Sequence, residues 1–315
     1  MNNRRSFIVG IKSTKLLPRE KSFLKKYRPW GVILFTRNIK NISQASKLTS
    51  SIREIFNDNN YPILIDQEGG RVNRLENIIS FENLTSEFFG KKYISNISEF
   101  KFYFKLFIDK TSYLLKSIGV NINTAPVLDL RVKGSSNIIG NRSFSNNPKI
   151  VSNIGDYCIK YFHENGIGTV IKHIPGHGLA KVDSHHLTPL INKKLKYLIK
   201  NDFITFKNKK TFFAMTAHIV FSEVDKVNTV THSKKMIKII RNHIKFKNLL
   251  ISDDLSMKSL KYSIKQNTIM AFEAGCDLVL HCNGNFKEMS IVAENSPTIN
   301  SFIQKKTSEF YKILG

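Results

Sequence analysis

Eight short apolar runs, each too brief for a helix, set the limits on what this chain can fold into. They are Phe7–Ile11, Gly31–Phe35, Pro62–Ile65, Ile122–Leu128, Thr169–Ile174, Phe212–Ala217, Leu249–Ile251 and Asp277–Leu280. Their continuous rather than alternating apolar character suits strands buried on both faces, as in a parallel sheet. Amphipathic segments lie between them. Ile150, Val151, Ile154, Tyr157 and Tyr161 or Phe162 keep the spacing of one helical face, and Asn165-Gly166 supplies a stop. Met236, Ile237, Ile239, Ile240 and Ile244 form a second stripe behind a candidate cap at Ser233, and a third helix, after Met257, ends near Gly275. Strands alternating with helices in this way predict an α/β chain folded as a (β/α)8 TIM-type barrel, with a doubly wound open sheet as the alternative. Glu82–Ser117 is the least regular stretch. Phe100, Tyr103, Phe107 and Leu114 fall there at helical spacing and suggest a long helical crossover. Without an internal repeat, a Pro- or Gly-rich linker or a compositional step, residues 1–315 read as a single barrel domain.

Composition supports a folded core, since 41% of the 315 residues are hydrophobic. Lys and Arg number 49 against 24 Asp and Glu, a formal charge of +25 that invites a nucleic-acid or anionic-surface reading. The charge is spread along the whole chain, with no Arg-rich run and no aromatic-basic platform. An AT-rich codon bias towards Lys, Asn, Ile and Phe accounts for it, and neither a nucleic-acid nor a membrane partner is expected. Cys158, Cys276 and Cys282 form no C-x-x-C pair, which speaks against a disulfide framework or structural zinc. No run of about 18 apolar residues marks a membrane span. Arg4-Arg5 faintly resembles a twin-arginine export signal, but Lys12 and Lys15 interrupt the apolar segment that should follow. A cytoplasmic protein is expected.

In such a barrel the functional site lies at the C-terminal ends of the strands. Polar residues follow several runs: Asp66-Gln67-Glu68-Gly69-Gly70-Arg71 the third, Asp129 the fourth, His218 the sixth, Asp253-Asp254 the seventh and His281 the eighth. Any one of them alone could be a helix cap or a loop charge. Their repetition at strand ends favours a site.

The densest segment is Lys172-His173-Ile174-Pro175-Gly176-His177-Gly178, followed by Asp183-Ser184-His185-His186, which together hold four of the nine histidines. Pro175 and Gly176 break the His173/His177 pair, so it is not one helical face of a metal site, and no metal is expected. Asp183 lies two residues from His185. A carboxylate so placed can accept the imidazole N–H, fix its tautomer and raise its pKa, giving a proton donor near neutrality. The competing reading is a surface loop with incidental polar residues. By the period of two, Leu249, Ile251 and Asp253 share one strand face, and Leu250, Ser252 and Asp254 the other. Spacing alone does not say which carboxylate faces a substrate.

Taken together, the segment from Lys172 to Gly178, Asp183-Ser184-His185 and Ser252-Asp253-Asp254-Leu255-Ser256-Met257 resemble glycoside hydrolase family 3, and within it the bacterial NagZ-type β-N-acetylglucosaminidases. Ile65–Val72, Ala125–Asp129, Gly140–Phe144, Thr216-Ala217-His218 and Ala274–Asp277 fall in the family's order. The resemblance implies a barrel exo-glycosidase, without cofactor and monomeric. Its substrate would be a small molecule carrying non-reducing β-linked GlcNAc, the GlcNAc–anhydro-N-acetylmuramic acid disaccharide of cell-wall recycling, with or without its peptide. It further implies Asp253 as nucleophile, His185 as general acid/base with Asp183 as its dyad partner, and sugar-binding roles for Asp66, Arg74, Arg142, Lys172 and His173. A cationic neighbour such as Lys172 or an Arg is then expected to keep Asp253 ionised, while Asp254 points to the barrel wall or the next helix N-terminus.

Three departures stand out. Ile174 replaces the usual Phe, Asn141 replaces a common Glu, and the segments Glu82–Lys110 and beyond Asn285 match weakly. Neither replaced residue type carries chemistry. A second reading, a non-catalytic sugar-binding descendant, is opposed by the presence of Asp253, Asp183 and His185 together.

Overall fold

The computed structural model describes residues 3–315. Its ten strands are β1 (Arg5–Gly10), β2 (Pro29–Leu34), β3 (Ile63–Ile65), β4 (Ile122–Asn123), β5 (Gly168–Ile174), β6 (Leu190–Ile191), β7 (Phe213–Thr216), β8 (Val220–Phe221), β9 (Leu249–Asp254) and β10 (Leu278–His281). Eight of them close a parallel barrel in the order β1, β2, β3, β4, β5, β7, β9, β10. Pairing of Phe7 with Val279 seals it and excludes the open sheet. Each of the eight apolar runs supplies one barrel strand. The fourth contributes least, because regular pairing stops at Asn123 just before Ala125-Pro126, where proline has no N–H for a ladder. β6 and β8 pair with each other outside the barrel. Two residues of strand leave no periodic signal, so the apolar pattern does not reveal them.

Alternation along the strands sorts side chains into two layers. Ile8, Ile33, Leu64, Val170, Met215 and Ile251 pack in one cluster in the barrel interior. Their neighbours Phe7, Val9, Val32, Leu34, Ile171 and Leu250 join the larger cluster beneath the helices. The stripe at Ile150–Phe162 lies on helix Pro148–Glu164, with its cap at Asn165 and Gly166 at φ 68°. Ser233 caps helix Lys234–Asn242 by accepting from the Met236 N–H at 3.2 Å. The expected crossover is two helices, Ser86–Ser95 and Ile97–Ser117, separated at Asn96, whose side chain caps the second. Tyr103 does not belong to its inward face. It is 46% exposed, and Phe104 takes the buried position beside Phe100.

The weakly matched C-terminal segment has a defined task. Ile303 and Phe310 on helix Ser301–Tyr311, with Ile299 just before it, join the interior cluster against the N-terminal ends of the strands. Phe310 meets Phe213 with ring centroids 5.2 Å apart, and Trp30 donates its indole N–H to Thr307 Oγ1 at 2.9 Å. Gly168 makes room, since a Cβ there would lie 2.6 Å from the Phe310 ring. Phe310→Ala should therefore cost about 3–5 kcal/mol of stability, read from the denaturant midpoint, with activity of the folded fraction unchanged.

Arg4, buried, pairs with Asp58 at 2.6 Å and lies over the Tyr61 ring, while Arg5 donates to the Ser296 carbonyl at 2.9 Å. Among the described residues no helix is long and apolar enough to cross a membrane.

Candidate active site

A cleft of about 250 Å³ opens at the C-terminal ends of the barrel strands. Asp66, Arg74, Arg142, Lys172, His173, His185 and Asp253 all line it. Asp183 stands behind His185. Seven of the eight residues singled out from the sequence thus face one space, and the eighth touches a member of it. Ile33, Phe35, Met215 and Leu280 give the cleft an apolar floor.

One wall is a cluster of interlocked charges. Lys172, buried on β5, reaches Asp66 Oδ1 and lies 2.6 Å from Glu68 Oε1. Glu68 also takes a two-pronged contact from Arg142, at 2.7 Å from Nε and 2.8 Å from Nη2. Asp66 accepts from Thr124 Oγ1 at 2.6 Å and from Arg74 at 3.0 Å. Burial by itself would raise both carboxyl pKa values. Lys172 with Arg74 for Asp66, and Arg142 with Lys172 for Glu68, outweigh it and hold them below the ordinary range. Both are therefore ionised and presented as fixed acceptors. Gln67 supports the wall from behind by accepting from the Arg74 and Leu75 backbone N–H groups at 2.8 and 3.2 Å.

His173 is oriented by Asp129, which sits at the end of the fourth apolar run. Asp129 Oδ2 lies 2.7 Å from His173 Nδ1, and the same carboxylate accepts the His173 and His177 backbone N–H groups. This holds the proton on Nδ1 and turns the other edge of the ring to the cleft. Burial opposes ionisation of Asp129, but the adjacent His173 keeps its pKa below the ordinary value.

Asp253 and Asp254 part company as strand alternation requires. Asp253 continues the inward side of Leu249 and Ile251 and lines the cleft. Burial alone would raise its pKa; the His218 and His173 imidazoles and the Asp254 N–H, which donates to Asp253 Oδ1 at 2.8 Å, lower it instead. The expected Lys172 or Arg neighbour is thus replaced by imidazoles, because Lys172 is engaged by Asp66 and Glu68. Nor does Asp254 reach a helix N-terminus, since the next helix begins only at Ile264. Asp254 instead accepts from Ser256 N and Ser256 Oγ, and from Cys282 N on the neighbouring strand's extension, at 3.0, 2.8 and 3.1 Å. It ties two loops together at the rim.

Asp183 Oδ1 lies 2.9 Å from His185 Nδ1 and accepts the His185 backbone N–H at 2.8 Å. Burial would raise the Asp183 pKa slightly, but these two contacts lower it, so the pair forms a carboxylate–imidazole unit with Nε2 free. Its loop carries exposed His185 and His186 around a buried Ser184. His281 falls outside the site. It follows inward Leu280 and so turns outward, 2.9 Å from Glu288 on helix Phe286–Glu294. His218 is buried below Asp253, donating to the Asp254 carbonyl at 3.1 Å and bonded to Thr231 at 2.8 Å.

Glu68, Asp129 and Arg71 take places that sequence reasoning did not assign. Glu68 and Asp129 lie in the polar segments after strands, but their partners are 74 and 44 residues away in the chain. Arg71 lines the cleft and grips the carbonyls of Ile138 and Ile139 at 2.6 and 3.2 Å. No group of three or more His, Cys, Asp or Glu residues among the described residues is arranged to hold a metal ion.

An ionised carboxylate and a carboxylate-held imidazole thus line one polar cleft at the C-terminal end of a (β/α)8 barrel, where such barrels place their active sites. The model of the glycosyl hydrolase family 3 N-terminal domain matches residues 9–307, and the chain belongs to that family. Its relatives include the beta-hexosaminidase of Thioalkalivibrio sulfidiphilus, 30% identical over 282 residues, covering 88% of this chain and 80% of the relative. The beta-hexosaminidase of Neisseria meningitidis serogroup A is 32% identical over 284 residues, covering 88% and 77%. The crystal structure of NagZ from Neisseria gonorrhoeae in complex with N-trifluoroacetyl-D-glucosamine superposes with a TM-score of 0.88, at 28% identity, covering 99% of this chain and 92% of that one.

Proposed function

We propose that this chain is a retaining exo-β-N-acetylglucosaminidase that removes terminal β-1,4-linked GlcNAc from anhydro-muropeptides during peptidoglycan recycling. Hydrolase activity of the β-N-acetylhexosaminidase type rests on family membership and on relatives named beta-hexosaminidase. The finer reading rests on one observation above all: Asp253 and His185, the latter held by Asp183, line the same cleft.

In this reading Asp253 attacks the anomeric carbon while His185 Nε2 protonates the departing glycosidic oxygen, forming a glycosyl ester on Asp253. The neutral imidazole then accepts a proton from water as it attacks the same carbon, releasing GlcNAc and restoring the carboxylate. Asp183 stabilises the imidazolium in the first half and holds the ring in register throughout. A histidine is suited to both halves because its unperturbed pKa of about 6.5 lies near neutrality. Asp66, Arg74, Arg142, Lys172 and His173 hold the sugar. Ionised Asp66 accepts from hydroxyls, while the cationic groups around it donate to hydroxyl and acetamido oxygens. The NagZ complex with N-trifluoroacetyl-D-glucosamine supports a 2-acylamino sugar as the bound class. A cleft of about 250 Å³ has room for one terminal ring, and exo action follows the family resemblance. We take residues 1–315 to act as one catalytic domain, monomeric and cytoplasmic, with roles in cell-wall turnover and through it in cell shape and division.

The test is direct comparison of an aryl β-N-acetylglucosaminide with the matching aryl β-glucoside. The acetamido sugar should be turned over at least about tenfold faster, the worth of one good hydrogen bond to a charged group. Equal or better turnover of the glucoside would overturn the substrate assignment. No turnover of either, with GlcNAc still bound, would favour the sugar-binding descendant.

A further inference from the structure

The Asp183–His185 pair is exposed, and its internal contacts do not by themselves fix it to the barrel. His185 N and Nδ1 both go to Asp183, and the His186 and Leu187 N–H groups go to the Asp183 carbonyl at 3.1 and 3.0 Å. These bonds shape the turn from within. Among the described residues, a single hydrogen bond joins segment 181–187 to anything outside it: His177 Nε2 lies 3.0 Å from Ser184 Oγ. Both partners are buried, at 2% and 3% exposure, although Asp183, His185 and His186 around Ser184 are not.

His177 is itself fixed. Its backbone N–H donates to Asp129 Oδ1 at 2.7 Å, and its carbonyl accepts from Ala180 at 3.1 Å. Asp129 also orients His173, whose ring lies 5.3 Å from that of His177. The flanking chain is closely seated too, since a Cβ on Gly178 would lie 2.2 Å from the Leu130 carbonyl. One buried carboxylate thus anchors both the sugar-facing His173 and the residue that reaches the acid/base loop.

We infer that His177 is a positioning residue that docks the acid/base loop through Ser184, setting how much of the time His185 stands over the cleft. The inference rests on the proposed role of His185. Burial and the neighbouring His173 hold the His177 pKa down to about 4, so a neutral ring makes the bond across the working range. Nδ1 is buried without a partner, so the tautomer with Nε2–H donating to Ser184 Oγ leaves an acceptor unpaired rather than a donor. One such bond is worth about tenfold in the balance between docked and undocked loop. A tie of this strength permits undocking for product release, which a rigid loop would not.

Ser184→Ala removes one hydroxyl and leaves the Asp183–His185 contacts in place, so it is the primary variant. His177→Ala and the double variant complete a cycle, with His185→Ala as reference. In the whole chain, hydrogen exchange of the residue 184 amide, which has no hydrogen-bond partner within the turn and is buried while the loop is docked, should quicken about tenfold in Ser184→Ala once corrected for its intrinsic rate. Its kcat should fall about tenfold on a disaccharide with a poor leaving group and little on an activated aryl glycoside, with KM unmoved. The double variant should be no worse than His177→Ala. Unchanged loop exchange in Ser184→Ala, equal losses on both substrates, or additive effects would each overturn the latch. Should His185→Ala show no dependence on leaving group, the acid/base reading falls, and the exchange rates and the cycle still decide the docking.

Discussion

Alanine at Asp253 is expected to lower turnover by about 10⁴–10⁶-fold while leaving the unfolding temperature and most of the affinity for GlcNAc intact. Asp253 is the proposed nucleophile, and loss of a group that forms a covalent intermediate has an effect of this order. The fold is spared because Asp253 is an acceptor at the barrel mouth rather than a packed core residue, and among the described residues its carboxylate takes one hydrogen bond, from the N–H of its own neighbour. Asp254→Ala should behave in the opposite way. It removes three accepted hydrogen bonds that join the Ser256 turn to Cys282 and should cost about 1–3 kcal/mol of stability. Steady-state kinetics on an aryl β-N-acetylglucosaminide, with thermal unfolding of each variant, separates the two.

His185→Ala is expected to lose about 10²–10⁴-fold on the proposed disaccharide substrate, whose leaving oxygen needs a proton, and far less on an activated aryl glycoside. Asp183→Ala should follow the same pattern more mildly, because it leaves the imidazole in place but removes both contacts that orient it. His186→Ala should do little. Its ring is exposed, and its backbone bond to the Asp183 carbonyl survives the substitution. Comparing kcat/KM for both substrates across the three variants checks the assignment, and a large leaving-group-dependent loss at His186 would transfer the role to it.

Much of this arrangement is legible in the order of residues, for physical reasons that differ from part to part. Strands buried on both faces must be apolar without interruption, so the barrel strands announce themselves. Alternation then carries the inward face of Leu249 and Ile251 on to Asp253. What pairs with what is not local. Glu68 finds Arg142 and Asp129 finds His173 across turns of the barrel, and nothing near Glu68 or Asp129 in the chain marks those contacts. The same blindness misplaced Lys172. As a cation near the site it looks like a neighbour for Asp253, but the third strand's loop supplies two carboxylates that engage it. The C-terminal helix matches the family weakly because its work is packing: Ile303 and Phe310 need only be apolar and of the right volume to close the barrel floor.

The chemistry stands or falls on which carboxylate bears the sugar. A 2-deoxy-2-fluoro or 5-fluoro glycosyl donor that forms its ester faster than the ester hydrolyses should inactivate the enzyme with one sugar bound per chain. Peptide mass spectrometry should then place the added mass on Asp253. A sugar found on Asp254, Asp66 or any other carboxylate, or inactivation without any covalent adduct, would contradict the account.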